Sequence, residues 1–161
     1  MSGSPPSNED IARHFDELAE LLDVDGADRH RILAYRRAAV RVRGVDEPVV
    51  DLARAGRATE LPDIGSTLQS KIVELADTGA IAALGRLRDR TPAGLREIAR
   101  LDGVGGARAR AIMEALGADD LDTVRAAVAA CRLAEVRGIG PSLQASIARQ
   151  LGVPSPGIGS E

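Results

Sequence analysis

The sequence predicts an all-α fold, with tandem helix-hairpin-helix motifs arranged in two small helical subdomains. Three segments, residues 61–65, 101–105 and 136–140, share an apolar–x–Gly–apolar–Gly pattern, except that the first has Asp in place of the earlier glycine. Each segment precedes a stretch with apolar residues at helical spacing, as expected for a repeated supersecondary unit. Aromatic residues make up only 1% of the chain, so the core must consist of Leu, Ala, Val and Ile, which suits short, closely packed helices. No segment has a convincing strand pattern.

The first half of the chain predicts helices that surround the first hairpin. Residues 1–7 are rich in Ser, Gly and Pro and predict a disordered N-terminus. Asn8 and Asp28 are the predicted N-caps of the first and second helices, because their side chains can accept hydrogen bonds from free amides. Other helix ends follow from glycine and proline: Gly26 and Gly44 close these helices, Pro48 opens a short third helix, and Gly79 closes the helix after the hairpin.

The second half predicts a separate set of short helices. Thr91-Pro92 combines a capping hydroxyl with a proline at the first helical position, and Asp120 is the predicted cap of a later helix. Residues 8–84 and 91–151 therefore form the two predicted subdomains, and residues 85–90 form the linker between them. Residues 152–161 contain two prolines and three glycines and predict a disordered tail.

Composition and charge narrow the function classes. The single cysteine, Cys131, excludes an internal disulfide and a cysteine-based zinc site, and we expect its thiol to be buried. The near absence of aromatic residues disfavours binding by base stacking. The N-terminus has neither a basic region nor an apolar run, and no segment is apolar enough to cross a membrane, so we expect a cytoplasmic protein without a signal peptide.

Charge is segregated along the chain although the net charge is only −3. Residues 8–28 contain eight acidic residues and one arginine, whereas residues 29–43 contain six arginines and no acidic residue. This second block favours a polyanionic partner. The alternative is that its arginines form a solvated helical face paired with the acids of the first helix.

The hairpins predict a backbone interface for phosphate. Free amides at the start of the helix after each hairpin form an anion site, and such contacts hold DNA without reading its bases. The alternative is that some copies are simple connectors, above all the third, which no arginine cluster follows. The predicted DNA-binding residues are Gly65, Ser66, Thr67, Gly103, Gly105, Gly106, Arg108, Arg110, Gly138, Gly140 and Ser142.

Lys71 is the only lysine of the chain and lies on the helix that follows the first hairpin. A lysine among cations can lose its proton and form a Schiff base with an aldehyde, whereas an arginine cannot. The alternative is a solvent-exposed lysine or a simple phosphate contact. If Lys71 acts on a sugar aldehyde, either Glu74 or a bound water removes the C2′ proton.

The segment Arg31-Ile-Leu-Ala-Tyr35-Arg-Arg-Ala-Ala39, the hairpin at 61–65, Lys71-Ile72 and Thr78-Gly79 together resemble the N-terminal region of family X DNA polymerases, the family of DNA polymerase beta. The resemblance extends over about residues 8–151. It implies a helical domain that binds a 5′-phosphate in gapped DNA. It also implies a monovalent cation, Na⁺ or K⁺, on hairpin carbonyls, here those of Leu61 and Ile64, and no other cofactor.

The resemblance also assigns roles to individual residues. Lys71 matches the lysine that forms a Schiff base with deoxyribose phosphate in members with lyase activity. Arg31 matches a phosphate-binding residue, His30 a histidine near the 5′-terminal nucleotide, and Tyr35 the tyrosine of the Ala-Tyr-Arg segment.

Several features depart from the family pattern. The polymerase palm lies beyond the similar region, so we expect no polymerase activity from this chain. Asp63 replaces a hairpin glycine with a carboxylate that repels phosphate, and Thr67 stands where a basic residue can occur. The Asp119-Asp120-Leu121-Asp122 segment is interpreted as a helix cap and not as a metal pair.

The sequence therefore predicts a DNA-binding protein without sequence specificity, which recognises gapped, nicked or 5′-phosphate ends in DNA repair. We expect DNA and a separate polymerase or repair protein as partners, no membrane, and association with the nucleoid if the protein is bacterial. One alternative is a deoxyribose-phosphate lyase that uses Lys71. The other is a protein-interaction adaptor on the same scaffold.

Overall fold

The computed structural model describes residues 3–154, and these residues form nine α-helices and two short 3-10 turns, with no strand. The 3-10 turns, Ala58–Glu60 and Arg132–Glu135, precede the first and third hairpins. The predicted all-α fold is confirmed for this part of the chain. The helices are α1 (Asn8–Val24), α2 (Arg29–Arg43), α3 (Val49–Arg54), α4 (Ser66–Thr78), α5 (Ala82–Arg90), α6 (Ala93–Ala99), α7 (Gly105–Leu116), α8 (Leu121–Ala129) and α9 (Pro141–Gln150).

The chain divides into two compact units. The first contains the residues up to Leu22 together with Ala27–Arg90, and the second contains Asp23–Gly26 together with the chain from Thr91 onward. Residues 85–90, the expected linker, are the C-terminal part of α5, which continues because Leu87 is buried in the core of the first unit.

Only part of each predicted disordered end, residues 1–7 and 152–161, falls within the residues that the structure describes. Residues 3–7 precede α1 without regular secondary structure, and residues 1–2 lie outside the described range. At the other end, Val153 is buried and its amide donates to the Ala148 carbonyl at 2.8 Å, which extends the folded chain past α9. The rest of the predicted tail, residues 155–161, also lies outside the described range.

The first unit has an aliphatic core with a single aromatic pair. The rings of Phe15 in α1 and Tyr35 in α2 meet edge to face, with 5.8 Å between their centroids. Ile72 of α4 is fully buried in the same core, and its helix carries Lys71 as the preceding residue. The packing of Ile72 therefore fixes the face of α4 from which Lys71 projects.

The cap of α1 differs from the prediction. The Ser7 hydroxyl accepts a hydrogen bond from the Asp10 amide, and the Asp10 carboxylate accepts one from the Ser7 amide, both at 3.1 Å. Ser7 is thus the N-cap of a reciprocal capping box, and the expected role of Asn8 is wrong. The Asn8 amide nitrogen donates to the Val45 and Glu47 carbonyls, so this side chain joins the start of α1 to the connection between α2 and α3.

The second unit has its own core, contributed by α6–α9 and the intervening turns. The Asp120 carboxylate accepts from the Thr123 amide at 2.7 Å, which confirms its predicted capping role. Pro92 occupies the N-cap position of α6, one residue earlier than expected. Cys131 is exposed, not buried: it follows the C-cap of α8 and has a left-handed backbone (φ 61°) that begins the 3-10 turn before the third hairpin.

Candidate nucleic-acid interface

The three hairpins share one backbone feature that explains their sequence pattern. Asp63, Gly103 and Gly138 occupy equivalent positions and have φ angles of 70°, 82° and 85°. This left-handed region favours glycine, so the first hairpin places an aspartate where the other two have the residue best suited to the turn. The apolar residues that follow are buried and anchor each hairpin to its unit: Ile64, Val104 and Ile139.

The first hairpin leaves main-chain amides accessible. Gly65 has an extended backbone (φ −92°) and precedes α4, and a methyl group added to it would meet no described atom within 4 Å. Within residues 3–154, the amides of Ser66 and Thr67 have no acceptor, and both residues are exposed. The N-terminus of α4 is therefore an open site for an anion.

The third hairpin has a similar backbone but offers fewer groups. Gly140 is extended (φ −80°), exposed and equally free of close neighbours among the described atoms. Pro141 at the start of α9 has no amide hydrogen, so the first donor of this helix is the Ser142 amide. The Gln144 side chain donates to the Ile139 carbonyl at 3.1 Å.

The second hairpin differs because the protein itself occupies its polar groups. The Gly106 amide donates to the Asp23 carboxylate at 3.1 Å, and Gly106 is buried against the backbone of Asp23 and Val24. The Gln150 side chain accepts from the Asp102 amide at 2.7 Å and donates to its carbonyl at 3.2 Å. The backbone differs as well, since Gly105 has φ 65° and is already the first residue of α7.

The two arginines predicted to assist the second hairpin are exposed, and each lies close to a glycine. Arg108 donates to the Gly103 carbonyl at 2.9 Å. The Arg110 guanidinium lies over Gly26, where an added methyl group would be 2.9 Å from one of its nitrogens. Their binding to DNA stays a prediction.

A surface cavity of about 440 Å³ in the first unit brings together residues from α2, the first hairpin and α4. Lys71 is partly buried in it, and Asp63 is the one lining residue with a carboxylate among those described. Burial raises the pKa of the Tyr35 hydroxyl, and the positive charge of Arg31 beside it acts in the opposite direction. The sequence-predicted residues that line the cavity are Arg31, Tyr35, Gly65, Ser66, Thr67 and Lys71.

Two predicted residues lie apart from this cavity. His30 is exposed in the first turn of α2 and is not among its lining residues. The Glu74 carboxylate accepts from the Ala82 amide at 2.8 Å, which satisfies the start of α5. The cavity lining includes Asp63 instead, and its proximity to Lys71 could not be read from sequence spacing alone.

The acids of α1 neutralise only part of the arginine block on α2. Arg43 pairs with Glu9 at 3.0 Å and Asp16 at 2.6 Å, and its hydrogen bond lowers the pKa of the Glu9 carboxyl. Arg41 pairs with Asp63 at 3.4 Å. Within residues 3–154, the remaining arginines of the block make no ion pair: Arg29, Arg31, Arg36 and Arg37.

The described residues contain no group of three or more His, Cys, Asp or Glu side chains placed to hold a metal ion. In the first hairpin, the Leu61 carbonyl accepts from the Ile64 amide at 3.3 Å. The monovalent cation on the carbonyls of Leu61 and Ile64 stays a prediction.

None of the helices in residues 3–154 is both long and apolar enough to cross a lipid bilayer.

Comparisons with known proteins agree with the geometry of the first unit. Residues 6–81 match the helix-hairpin-helix domain family. The chain is also similar to the DNA polymerase/3′-5′ exonuclease PolX of Bacillus subtilis (strain 168), with 26% identity over 143 residues. This similarity covers 89% of the chain but only 25% of that relative, so the chain spans about a quarter of the relative's length.

Proposed function

We propose that this chain, which carries a helix-hairpin-helix domain at residues 6–81 and resembles the N-terminal region of family X DNA polymerases, binds DNA without sequence specificity at gaps, nicks or 5′-phosphate ends. The observation that carries the proposal is the cavity beside the first hairpin. It combines the open amides of Ser66 and Thr67 with the positive charges of Arg31 and Lys71.

The chemistry of this cavity suits the end of a DNA strand. Main-chain amides and guanidinium groups bind phosphate oxygens, which every DNA sequence presents in the same way. A cavity of about 440 Å³ has room for a terminal sugar-phosphate, which a gap or nick exposes and a continuous duplex does not. The family resemblance supports the same substrate.

Direct binding measurements test this proposal. Fluorescence anisotropy would compare intact, nicked, gapped and 5′-phosphorylated gapped duplexes at two ionic strengths. We expect the phosphorylated gap to bind most tightly, and all affinities to fall steeply as salt increases. Equal binding to every duplex would contradict end recognition, and the absence of any salt-dependent affinity would favour a protein-interaction adaptor.

A matched pair of variants on α2 separates a phosphate contact from general charge. Arg31→Gln removes a charge that lines the cavity, whereas Arg43→Gln removes a charge already paired with Glu9 and Asp16. We expect Arg31→Gln to reduce the slope of log affinity against log salt by about 1, as for one lost phosphate contact. Arg43→Gln should leave the slope nearly unchanged. Equal effects of the two variants would mean that the DNA strand does not contact Arg31 in the cavity.

A second candidate function, a deoxyribose-phosphate lyase, is favoured by the position of Lys71. Lys71 lines the cavity together with Arg31, Tyr35, Ser66 and Thr67. In this proposal, the Lys71 amine attacks the C1′ aldehyde of an abasic or deoxyribose-phosphate end, and water leaves as the Schiff base forms. Loss of a C2′ proton then breaks the C3′–O bond, the 3′-phosphate departs with that electron pair, and hydrolysis returns the free lysine.

The proton acceptor of the proposed lyase differs from the one that the sequence suggested. Glu74 was the sequence-based candidate, but its carboxylate is bonded to the Ala82 amide. Asp63 lines the same cavity as Lys71. One oxygen of its carboxylate lies 3.4 Å from one terminal nitrogen of the Arg41 guanidinium. We therefore propose that Asp63 or a bound water accepts the C2′ proton.

Borohydride trapping on abasic DNA tests the lyase proposal, because reduction converts the Schiff base into a stable covalent adduct. Lys71 carries the only side-chain amine of the chain, so Lys71→Ala should abolish the adduct except for any contribution from the N-terminus. Lys71→Arg keeps the positive charge and should retain DNA binding without trapping. Trapping that persists in both variants would refute the proposal.

The proposed activity places the protein in DNA repair. Filling a gap requires a polymerase, and we propose that a polymerase or another repair protein acts together with this chain. DNA as a substrate also implies a cytoplasmic, nucleoid-associated location in a bacterial cell.

A further inference from the structure

The exposed face of α2 forms a groove that is separate from the Lys71 cavity. Asp63 of the first hairpin lines both spaces, and it is the one residue that does so in the part of the chain that the structure describes. The groove has a volume of about 460 Å³ and takes no part in the proposed DNA-binding or lyase chemistry. The other residues that line this α2 groove are Arg36, Arg37, Val40, Arg41 and Gly44.

Val40 is 71% exposed, and it is the only exposed large hydrophobic side chain within residues 3–154. Its neighbours Ala39 and Val42 are fully buried, so Val40 projects from the side of α2 that does not pack on the core. Valine has a lower helix propensity than alanine or arginine, because its branched side chain loses rotamer freedom in a helix. A single exposed aliphatic residue is common on protein surfaces, and what distinguishes Val40 is the set of charges around it.

Arginines border Val40 on the same face of α2. Arg36 and Arg37 precede it by four and three residues, the spacings that place side chains next to each other on a helix. Within the described residues, neither of these arginines forms an ion pair. Arg37 and Arg41 are also four residues apart, so their like charges repel. The only carboxylate that lines the groove is that of Asp63, 3.4 Å from Arg41, among the residues that the structure describes.

This mixture of groups favours a protein segment over a DNA strand. A DNA backbone presents phosphates of one sign and no aliphatic side chain, so it matches neither Val40 nor the Asp63 carboxylate. A protein segment can place acidic, aliphatic and hydrogen-bond donor groups independently. Amphipathic helices bind grooves in this way, with anchor residues one turn apart. One turn is about 6 Å, which is also the distance along the α2 axis from Arg36 to Val40.

We propose that the α2 groove docks an acidic helical segment of a second protein. An aliphatic side chain of that segment packs on Val40, and carboxylates one turn away form ion pairs with Arg36 and Arg37. The contact involves few residues, so we expect a weak and transient complex with a dissociation constant in the micromolar range. This inference rests on the partner protein of the proposed function, and it is independent of how the Lys71 cavity binds DNA.

Fluorescence anisotropy with a designed peptide tests the proposal. The probe is a labelled peptide of about 15 residues, near the length at which an isolated helix forms. It consists of alanine, glutamate and leucine, with one leucine at its centre and glutamates one turn to either side. Two control peptides replace the leucine by serine or the glutamates by glutamine. We expect the probe to bind the wild-type chain at low salt and each control peptide to bind at least about threefold more weakly.

Matched variants of the protein locate the peptide on α2. Val40→Ser and Arg37→Gln should each weaken binding of the probe by about threefold or more, whereas Val40→Ile keeps the aliphatic contact and should bind like the wild type. Arg29→Gln is the charge control, because Arg29 is exposed on the same helix, makes no ion pair within residues 3–154 and does not line the groove. All three positions are exposed, so the variants should fold normally, which circular dichroism melts would check.

Measurements of the same proteins with gapped duplex DNA separate the outcomes. Weaker peptide binding by Val40→Ser with unchanged affinity for DNA supports the docking surface. If Arg37→Gln weakens DNA binding as strongly as peptide binding while Val40→Ser affects neither, the groove holds a DNA strand and the docking proposal is wrong. The proposal is also wrong if the wild type does not bind the probe, or if the serine control peptide binds equally well.

Sedimentation velocity of the wild type and Val40→Ser tests for another occupant. If the wild-type chain self-associates and Val40→Ser is monomeric, the groove binds a second copy of this chain, and docking of a separate protein is refuted. Failure of the docking proposal in any of these tests leaves DNA binding by the first unit intact. A wild type that binds the peptide but no form of DNA would instead refute DNA binding and leave the docking surface in place.

Discussion

The backbone amide of Gly106 donates a hydrogen bond of 3.1 Å to the carboxylate of Asp23, in the last turn of α1. A negative charge at the N-terminus of α7 satisfies a free amide and interacts favourably with the helix dipole. It also occupies the position that a phosphate would take at the second hairpin. The second hairpin, which the sequence predicted to bind DNA with the help of Arg108 and Arg110, is therefore capped by the protein itself.

Removal of this carboxylate should alter stability and DNA binding in opposite directions. Asp23→Ala leaves the Gly106 amide without its acceptor, and we expect the free energy of unfolding to fall by about 1 kcal/mol. The freed amide and the lost negative charge should strengthen DNA binding several-fold, as measured by anisotropy. Asp46→Ala, which removes an exposed acid from the connection between α2 and α3, is the control for net charge. Equal gains in both variants would mean that the second hairpin does not contact DNA.

The glycines of the second and first hairpins should respond differently to alanine. A methyl group on Gly106 would lie 2.4 Å from the Asp23 carbonyl oxygen and 2.6 Å from the Val24 Cα, both backbone atoms. We expect Gly106→Ala to destabilise the protein by about 1–3 kcal/mol or more. Gly65→Ala meets no described atom within 4 Å at an allowed φ of −92°, so its unfolding free energy should change by less than about 0.5 kcal/mol. Urea unfolding of both variants measures the contrast, and similar losses would contradict the close packing at Gly106.

Replacement of Asp63 should increase both the stability of the protein and its affinity for DNA. With an aspartate in this left-handed conformation (φ 70°), the free energy of unfolding is about 1 kcal/mol lower than with a glycine. The exposed ion pair of Asp63 with Arg41 at 3.4 Å adds little stability. Asp63→Gly should therefore raise the unfolding free energy by up to about 1 kcal/mol and strengthen DNA binding. Asp63→Asn removes the charge but keeps a side chain at this φ, so it should improve binding without the full gain in stability. If neither variant binds DNA more tightly, the first hairpin does not face phosphate.

The cap of α8 predicts a pH-dependent contribution to stability. The amide of Thr123 holds the pKa of the Asp120 carboxyl below its usual value of 3.8. A carboxyl whose pKa is lower in the folded state stabilises the fold above its unfolded pKa, and this contribution is lost as the pH falls through the folded pKa. Asp120→Ala should therefore have a lower Tm than the wild type at pH 7. The difference should shrink below about pH 4.

Circular dichroism melts at a series of pH values would measure this difference. Asp120→Asn keeps an acceptor for the Thr123 amide and serves as the control, since Asn is also a favourable N-cap. A difference between wild type and Asp120→Ala that stays constant down to the lowest pH would show that the carboxylate charge does not contribute to the cap.

The order and type of the helices could be predicted from local signals. Glycine, proline and capping residues placed the helix ends within a few positions, as at Gly79 and Asp120, because each acts on its own turn of backbone. The wrong cap of α1 was also local: the Ser7 and Asp10 pair is a recognisable capping box that directly precedes the first apolar stripe. Two other predicted caps were only partly correct, since Asp28 is the N-cap of α2 without a side-chain capping hydrogen bond and Pro92, not Thr91, is the N-cap of α6.

The candidate site was only partly predictable. The periodicity of α2 and α4 placed Arg31, Tyr35 and Lys71 on particular helices, but their common cavity depends on how those helices pack. A small recess of the first unit, lined by Arg31 of α2 and Arg86 of α5, has no sequence signature, since the two residues belong to different helices and their spacing follows no motif.

The sequence by itself determined that the chain is helical, that it turns at three similar hairpins, and that those hairpins can expose amides. Only the tertiary structure decided which hairpin does so, because Asp23 and Gly106 are 83 residues apart in the chain. The N-terminus of a helix binds whichever acceptor folds next to it, a carboxylate of the protein or an external phosphate. That competition depends on distance in space, which local sequence patterns do not specify.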